Sequence, residues 1–211
     1  RTPQDETVET KSYAHLAISL FLMQAGFYLL RETDNLFLPY WVGFELQAIY
    51  SAQASMSNII RLIAYVFPVV VLPMAAVSKY KLRSSLIRIS KMLIPFSGLV
   101  LVLSYVTVPI LYGPQYAHRW LPVALVISST LLVVYSYLNS ILVGENGVSK
   151  VYFKILIIDF LITAVVNTGL MITFVRYWGI LGAPIATGIT VLLKIGWIWY
   201  GIIRLRWRSE E

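Results

Sequence analysis

The chain has 211 residues, of which 58% are hydrophobic and only 13% charged; its net charge is +7 and it has no cysteine. A soluble domain typically carries about a quarter charged residues, so this composition excludes a water-facing globule and gives an integral membrane class. The missing cysteines exclude disulfides, thiol catalysis and cysteine-based metal sites. The positive balance does not signal nucleic acid, because the basic residues fall between apolar runs. They read instead as a topology signal and as contacts to anionic lipid headgroups. A spanning helix needs roughly 20 apolar residues, which leaves room for about six spans and short loops. A barrel would show alternating strands of about ten residues; the runs here are long and continuous, which predicts an all-α membrane protein.

Residues 1–12 are a polar, mixed-charge stretch, expected as a flexible cytoplasmic tail or linker. No cleavable signal peptide is expected, since the first apolar run lacks a small-residue cleavage pattern. An initial Arg1 fits a piece of a longer chain or a processed subunit. The six-helix region covers 13–207, with spans at about 13–30, 48–77, 89–112, 119–143, 151–175 and 179–203, and 208–211 form a short cytoplasmic tail. Between the first two spans, Phe37, Tyr40, Trp41 and Phe44 make an interfacial aromatic cluster. Gly113-Pro114 and Gly144-Glu145-Asn146-Gly147 mark turns.

The second span, from Ala48, is the most informative. At 100° per residue, Tyr50, Ser51, Ala54, Ser55, Ser57, Asn58, Arg61 and Tyr65 share one broad arc, opposite Met56, Ile59, Ile60, Ile63, Val66 and Phe67. Pro68 and Pro73 near its far end predict a hinge and freed backbone carbonyls. Orientation follows from the basic residues. Arg1, Lys11, Lys79, Lys81, Arg83, Arg88, Lys91, Lys150, Lys154, Arg204, Arg206 and Arg208 fall on one side, against Arg31, Arg119 and Arg176 on the other. Both termini are therefore expected in the cytoplasm.

The order of features resembles the C-terminal half of oligosaccharide flippases, the polysaccharide-export branch of the multidrug/oligosaccharidyl-lipid/polysaccharide exporter superfamily. It is carried by Asp34, Ala48-Ile49-Tyr50-Ser51-Ala52, Pro68 and Pro73 before a basic loop, and Leu111-Tyr112-Gly113-Pro114-Gln115-Tyr116. Asn139 and Trp178-Gly179-Ile180-Leu181-Gly182-Ala183-Pro184-Ile185-Ala186-Thr187 complete it, with Ala48 standing where the family often has glycine. The likeness runs from about Tyr13 to Arg206. It implies one lobe of a two-lobed transporter, with a second six-helix lobe as partner, in the same longer chain or in a separate subunit. It also implies a lipid-linked sugar as substrate and a central cavity between the lobes in the plasma membrane.

Arg61 lies thirteen residues into the second span, about 20 Å from its outer end at 1.5 Å per residue. Two readings stand for it: a structural arginine satisfied by carbonyls or a carboxylate, or a cavity cation whose fork matches the pyrophosphate of a lipid-linked sugar. Asn58, Ser51, Ser55, Tyr65 and Asn139 are candidates to line the same cavity. Asp159 and Lys194 sit at similar depth, roughly 13 Å from the cytoplasmic side, on consecutive antiparallel helices. That placement predicts a buried ion pair, either structural or ion-coupling. Arg61 is left without an evident partner, since Asp159 is better matched in depth to Lys194; Asp34 and Glu45 read as outside the membrane. Gln24, Asn58, Asn139 and Asn167 are expected to bond between helices, and Tyr135 and Tyr137 to pack or to face a sugar. His15 and His118 fall on opposite sides, so no metal centre is expected, and no cofactor either.

No G-x-S-x-G elbow, HExxH or glycine-rich phosphate loop is present, so no enzyme is expected. The leading reading is translocation of lipid-linked oligosaccharide by alternating access. Cation-coupled multidrug efflux, or a non-transporting scaffold subunit of polysaccharide assembly, are the alternatives.

Overall fold

The structure, a computed structural model, describes residues 3–77, 82–146 and 150–208. Among the described residues it is all-helical, 97% with no strands, and four helices are long and apolar enough to cross a membrane. They are Leu20–Ala75, Leu86–Tyr112, Leu121–Gly144 and Leu156–Tyr200. The protein is a helical membrane protein.

α1 (Pro3–Val77) is two helical arms joined at Gly43, whose φ of 80° and ψ of 166° break the helix. A side chain would strain that backbone. The arms fold back on each other: Gln47 Nε2 donates to the Asn35 carbonyl at 3.4 Å, and Phe27 meets the Tyr65 ring edge-on at 5.0 Å. The expected loop at 31–47 is therefore helical on both sides of one glycine, and the helix begins at Pro3 rather than after a tail. The polar run Arg31–Asn35 suggested a span end, but it continues the helix for another three turns. Tyr40 (84% exposed) and Phe44 stand out at the tip, as an interfacial belt requires.

α2 (Leu82–Tyr112) leads through a short 3₁₀ turn at Pro114–Tyr116 into α3 (Leu121–Asn146). α4 (Lys150–Leu161), a π-helical stretch at Ile162–Asn167 and α5 (Thr168–Trp178) form one rod. After a 3₁₀ turn at Gly179–Leu181, α6 (Gly182–Arg208) returns beside α5. The return is tight: a Cβ on Gly182 would lie 2.2 Å from the Phe174 carbonyl carbon. Residues 1–2, Lys79, Lys81, Gly147 and 209–211 lie outside the described residues, as do the side chains of His15, Lys11, Arg83, Lys150, Arg204, Arg206 and Arg208.

α3 is the hub. Its apolar window is 67% buried, against 28% for each of the other three, and a helix apolar on all faces belongs in the interior. Its inward serines do specific work. Proline at 68 cannot donate to the carbonyl four residues back, at Ala64. Ser136 Oγ of α3 donates to that carbonyl at 2.6 Å. The same arrangement occurs at Pro39, whose freed carbonyl on Asn35 accepts from Gln47. The second arm is otherwise helical through Pro68 and Pro73, so the expected hinge at Pro68 is stapled to α3. Ser136→Ala is expected to lower stability by about 1 kcal/mol. In a Pro68→Ala background, where the helix recovers its own bond, the loss should disappear; chemical unfolding of the four proteins measures this.

Candidate functional site

Two apolar clusters fill the interior. One gathers Leu38, Tyr50, Ala54, Leu121, Leu125, Met171 and Ala186 near the Gly43 and Gly179 turns, and the other includes Leu30, Ile60, Val126, Leu138 and Val191. Along each helix the polar side chains fall at or beyond the seam between them. Asp34 lies between Leu30 and Leu38, and Thr187 and Thr190 between Ala186 and Val191. Among the described residues the buried charged side chains are Asp34, Arg61, Asp159 and Lys194. Their formal charges balance, as desolvated charges must.

Asp159 and Lys194 are brought together. Lys194 Nζ lies 3.1 Å from Asp159 Oδ2, with the lysine 0% exposed. Nζ also donates to Thr163 Oγ1 at 2.5 Å and stands 4.3 Å above the centre of the Tyr135 ring. Tyr135 donates its hydroxyl to Asp159 Oδ2 at 2.7 Å and accepts from Asn139 Nδ2 at 3.3 Å. Thr163 passes its own proton to the Asp159 carbonyl at 2.9 Å. One pair thus ties α3, α4, the π-helical stretch and α6 together. Sequence reasoning paired the charges but did not assign Tyr135 or Thr163 to them. The tyrosine's place in a polar cluster beside Asn139 was the available signal.

Arg61 is 5% exposed, and its Nε donates to Ser129 Oγ of α3 at 3.0 Å. Helical side chains lean toward the helix N-terminus, and the charge of the guanidinium bears on Tyr50 and Asp34. Tyr50 donates to Asp34 Oδ2, and Thr187 Oγ1 lies 3.4 Å from Oδ1. Asp34 is 1% exposed. This corrects two expectations. Asp34 is buried in the bundle rather than on its surface, and Arg61 is not without a carboxylate near it. Both follow from the continuous helix through Arg31–Asn35, which turns Asp34 inward.

The single polar arc expected on the second arm resolves into two stripes. Tyr50, Ala54, Ser57, Arg61 and Ala64 are all buried against the bundle interior. Beside them Ser51 is exposed and Ser55, Asn58 and Tyr65 are half-buried. Within the bundle Arg61 and Asn139 are both buried: Arg61 Nε bonds Ser129 of α3, and Asn139 Nδ2 bonds Tyr135. A small space of about 10 Å³ is lined by Ala64, Tyr65, Pro68, Tyr135, Ser136 and Asn139 among others. It has room for about one water. Beside the outer stripe runs a wider groove of about 380 Å³ between the two arms, lined by Phe21, Gln24, Ala25, Phe27, Tyr28 and Tyr65. Gln24 and Tyr28 are exposed there. Pro73 is exposed and Pro68 half-buried. His118 Nδ1 accepts from the backbone N–H groups of Trp120 and Leu121, at 3.3 and 3.2 Å, and so caps the start of α3. Asn167, expected to bond between helices, has no partner for either amide atom.

No known protein family, curated protein or solved structure matches the chain.

Proposed function

We propose that the chain is one six-helix lobe of a plasma-membrane transporter. With a second six-helix lobe, it moves lipid-linked oligosaccharide from the cytoplasmic to the outer leaflet by alternating access. The observation that carries this reading is the outer stripe Ser51, Ser55, Asn58 and Tyr65, with the adjoining groove bearing Gln24 and Tyr28. These polar and aromatic groups sit on the outside of helices that are otherwise fit for lipid. Polar side chains in a span face a bundle interior or a water-filled cavity rather than hydrocarbon. A cavity shared with a second lobe supplies that surroundings, and Tyr28 and Tyr65 offer faces on which sugar rings stack. In this reading the two longest apolar helices each count as two crossings, divided at Gly43 and Gly179; the breaks there and the bias of basic residues support six crossings with both termini in the cytoplasm. The oligosaccharide cargo rests on the ordered resemblance in the sequence. Arg61 has a structural part here, bonding Ser129 and balancing the charge of Asp34 behind the cavity wall. The chain is assigned no catalysis, cofactor or nucleic acid.

The Asp159–Lys194 pair supports a second reading, cation-coupled efflux, because an intramembrane carboxylate can load and release a proton or cation. One experiment separates them. The tagged chain is recovered from membranes with its partners, and cells lacking it are assayed for lipid-linked sugar held on the cytoplasmic leaflet. A six-span partner and a sugar block that wild type relieves are expected, with Asn58→Ala/Tyr65→Ala relieving it about tenfold less. Drug sensitivity without a sugar block, restored by wild type but not by Asp159→Asn, would establish efflux instead. Recovery of polymerase components alone would make the chain a scaffold.

A further inference from the structure

Asn167 closes the π-helical stretch and is 0% exposed, yet neither its Oδ1 nor its Nδ2 has a hydrogen-bond partner. Thr190 Oγ1, on α6, is likewise buried and unpartnered, at 0% exposure. So is Asp159 Oδ1, the oxygen of the ion pair that faces away from Lys194 and Tyr135. Leaving such atoms dry costs about 1–3 kcal/mol each.

The register of the helices puts Asn167 and Thr190 in one layer. Thr163 bonds Lys194 across antiparallel neighbours, so four residues onward on one and four back on the other set Asn167 opposite Thr190. Seven residues before Lys194, Thr187 lies against Asp34, about 10 Å further along the helix. The first arm keeps the same step: a Cβ on Gly26 would stand 3.8 Å from Lys194 Nζ, and Asp34 is two turns on. Asn167 and Thr190 therefore lie midway between Asp159–Lys194 and Asp34–Tyr50–Arg61.

We propose that the Asn167–Thr190 layer is a buried hydration site, holding at least one ordered water that joins the two charge pairs into one hydrogen-bonded network. Water fits this chemistry. The layer offers an acceptor in Asn167 Oδ1, a donor in Asn167 Nδ2 and the Thr190 hydroxyl, which serves as either; Asp159 Oδ1, about two turns back along the same rod, is the acceptor at the far end of the network. A buried water takes about three such partners. The π-helical turns beside it leave backbone groups in altered register, a feature concentrated at functional sites. Through this water, a change of charge at Asp159 or Lys194 is felt at Asp34, Tyr50 and Arg61, at the other end of the interior. The hydration site stands apart from the choice of cargo.

The test uses the full chain in lipid nanodiscs. Asn167→Leu/Thr190→Val is expected to lower the melting temperature by about 5 °C, while Thr190→Ser, which keeps the hydroxyl, stays close to wild type. Asp34→Asn and Asp159→Asn should be non-additive in the wild-type background and additive in Asn167→Leu/Thr190→Val. An unchanged or raised melting temperature in the double variant would overturn the proposal, since apolar replacement of dry, unpaired groups is neutral or stabilising. A rise specific to Na⁺ over K⁺ at equal ionic strength would also overturn it, by making the occupant a cation. If the double variant does not fold, a high-resolution structure of the wild type decides: density between Asn167 and Thr190 supports the site, and direct dry packing refutes it.

Discussion

Lys194→Met should destabilise the full chain by about 3–5 kcal/mol, among the largest effects of any single substitution here. The side chain is wholly buried, and its ammonium group has Asp159 at 3.1 Å, Thr163 at 2.5 Å and the Tyr135 ring beneath it. Methionine fills much of the same volume, so the loss is electrostatic. It strands the Asp159 carboxylate in a low-dielectric interior with only the Tyr135 hydroxyl donating to it. The partner substitution distinguishes this from poor packing. Asp159→Leu/Lys194→Met removes both charges and should recover to within about 1 kcal/mol of wild type, because apolar replacements of a buried pair are often neutral or better. Chemical unfolding in nanodiscs reads both values. A mild effect of Lys194→Met alone would mean that the pair is hydrated. The apolar double variant also separates roles: restored folding with lost transport would make the pair a coupling element, whereas full transport would make it structural.

That pair was legible in the sequence because it needs only depth and connectivity. Asp159 and Lys194 lie equally far from one side on neighbouring antiparallel helices, and opposite charges in a membrane interior must meet. The partners of Arg61 were not legible, and the reason is local. Arg31-Glu32-Thr33-Asp34-Asn35 reads as a polar loop when composition is taken residue by residue. The helix absorbs it because outward positions, such as Asn35, are exposed while Thr33 and Asp34 turn inward. Periodicity correctly grouped the polar residues of the second arm, but an arc broad enough to hold eight residues spans two environments. Which half is buried depends on α3, which no pattern within the arm encodes. The π-helical stretch was also hidden, since Ile162-Thr163-Ala164-Val165-Val166-Asn167 carries neither proline nor glycine. The serines of α3 could have been read more closely. Ser136 answers a proline four residues beyond the carbonyl it bonds, and Ser129 answers the arginine.

Arg61→Met is expected to destabilise by a similar amount, about 3–5 kcal/mol, but with a different pattern of rescue. The guanidinium bonds Ser129 of α3 while its charge bears on the Tyr50–Asp34 side, and its Nη2 is buried without a partner. Lysine keeps the charge but has no fork with which to meet two directions at once. Arg61→Lys should therefore recover only the part of the loss that belongs to Asp34, leaving Ser129 unpaired. Asp34→Asn added to Arg61→Met removes the stranded carboxylate and should restore more stability than Arg61→Lys does. Tyr50→Phe, which deletes the donor to Asp34, should weaken the fold by about 1.5–3 kcal/mol and act non-additively with Arg61→Met, since both expose the same carboxylate. Additive losses in that cycle would mean that Arg61 and Asp34 are not coupled, and the arginine would then be held by Ser129 and packing alone. A coupled result has a consequence for transport. Arg61 would be committed to Asp34 behind the outer stripe, and a defect in Arg61→Met that Asp34→Asn repairs could not come from lost contact with a phosphate in the cargo. Substrate contact would then belong to the half-exposed stripe of Ser51, Ser55, Asn58 and Tyr65.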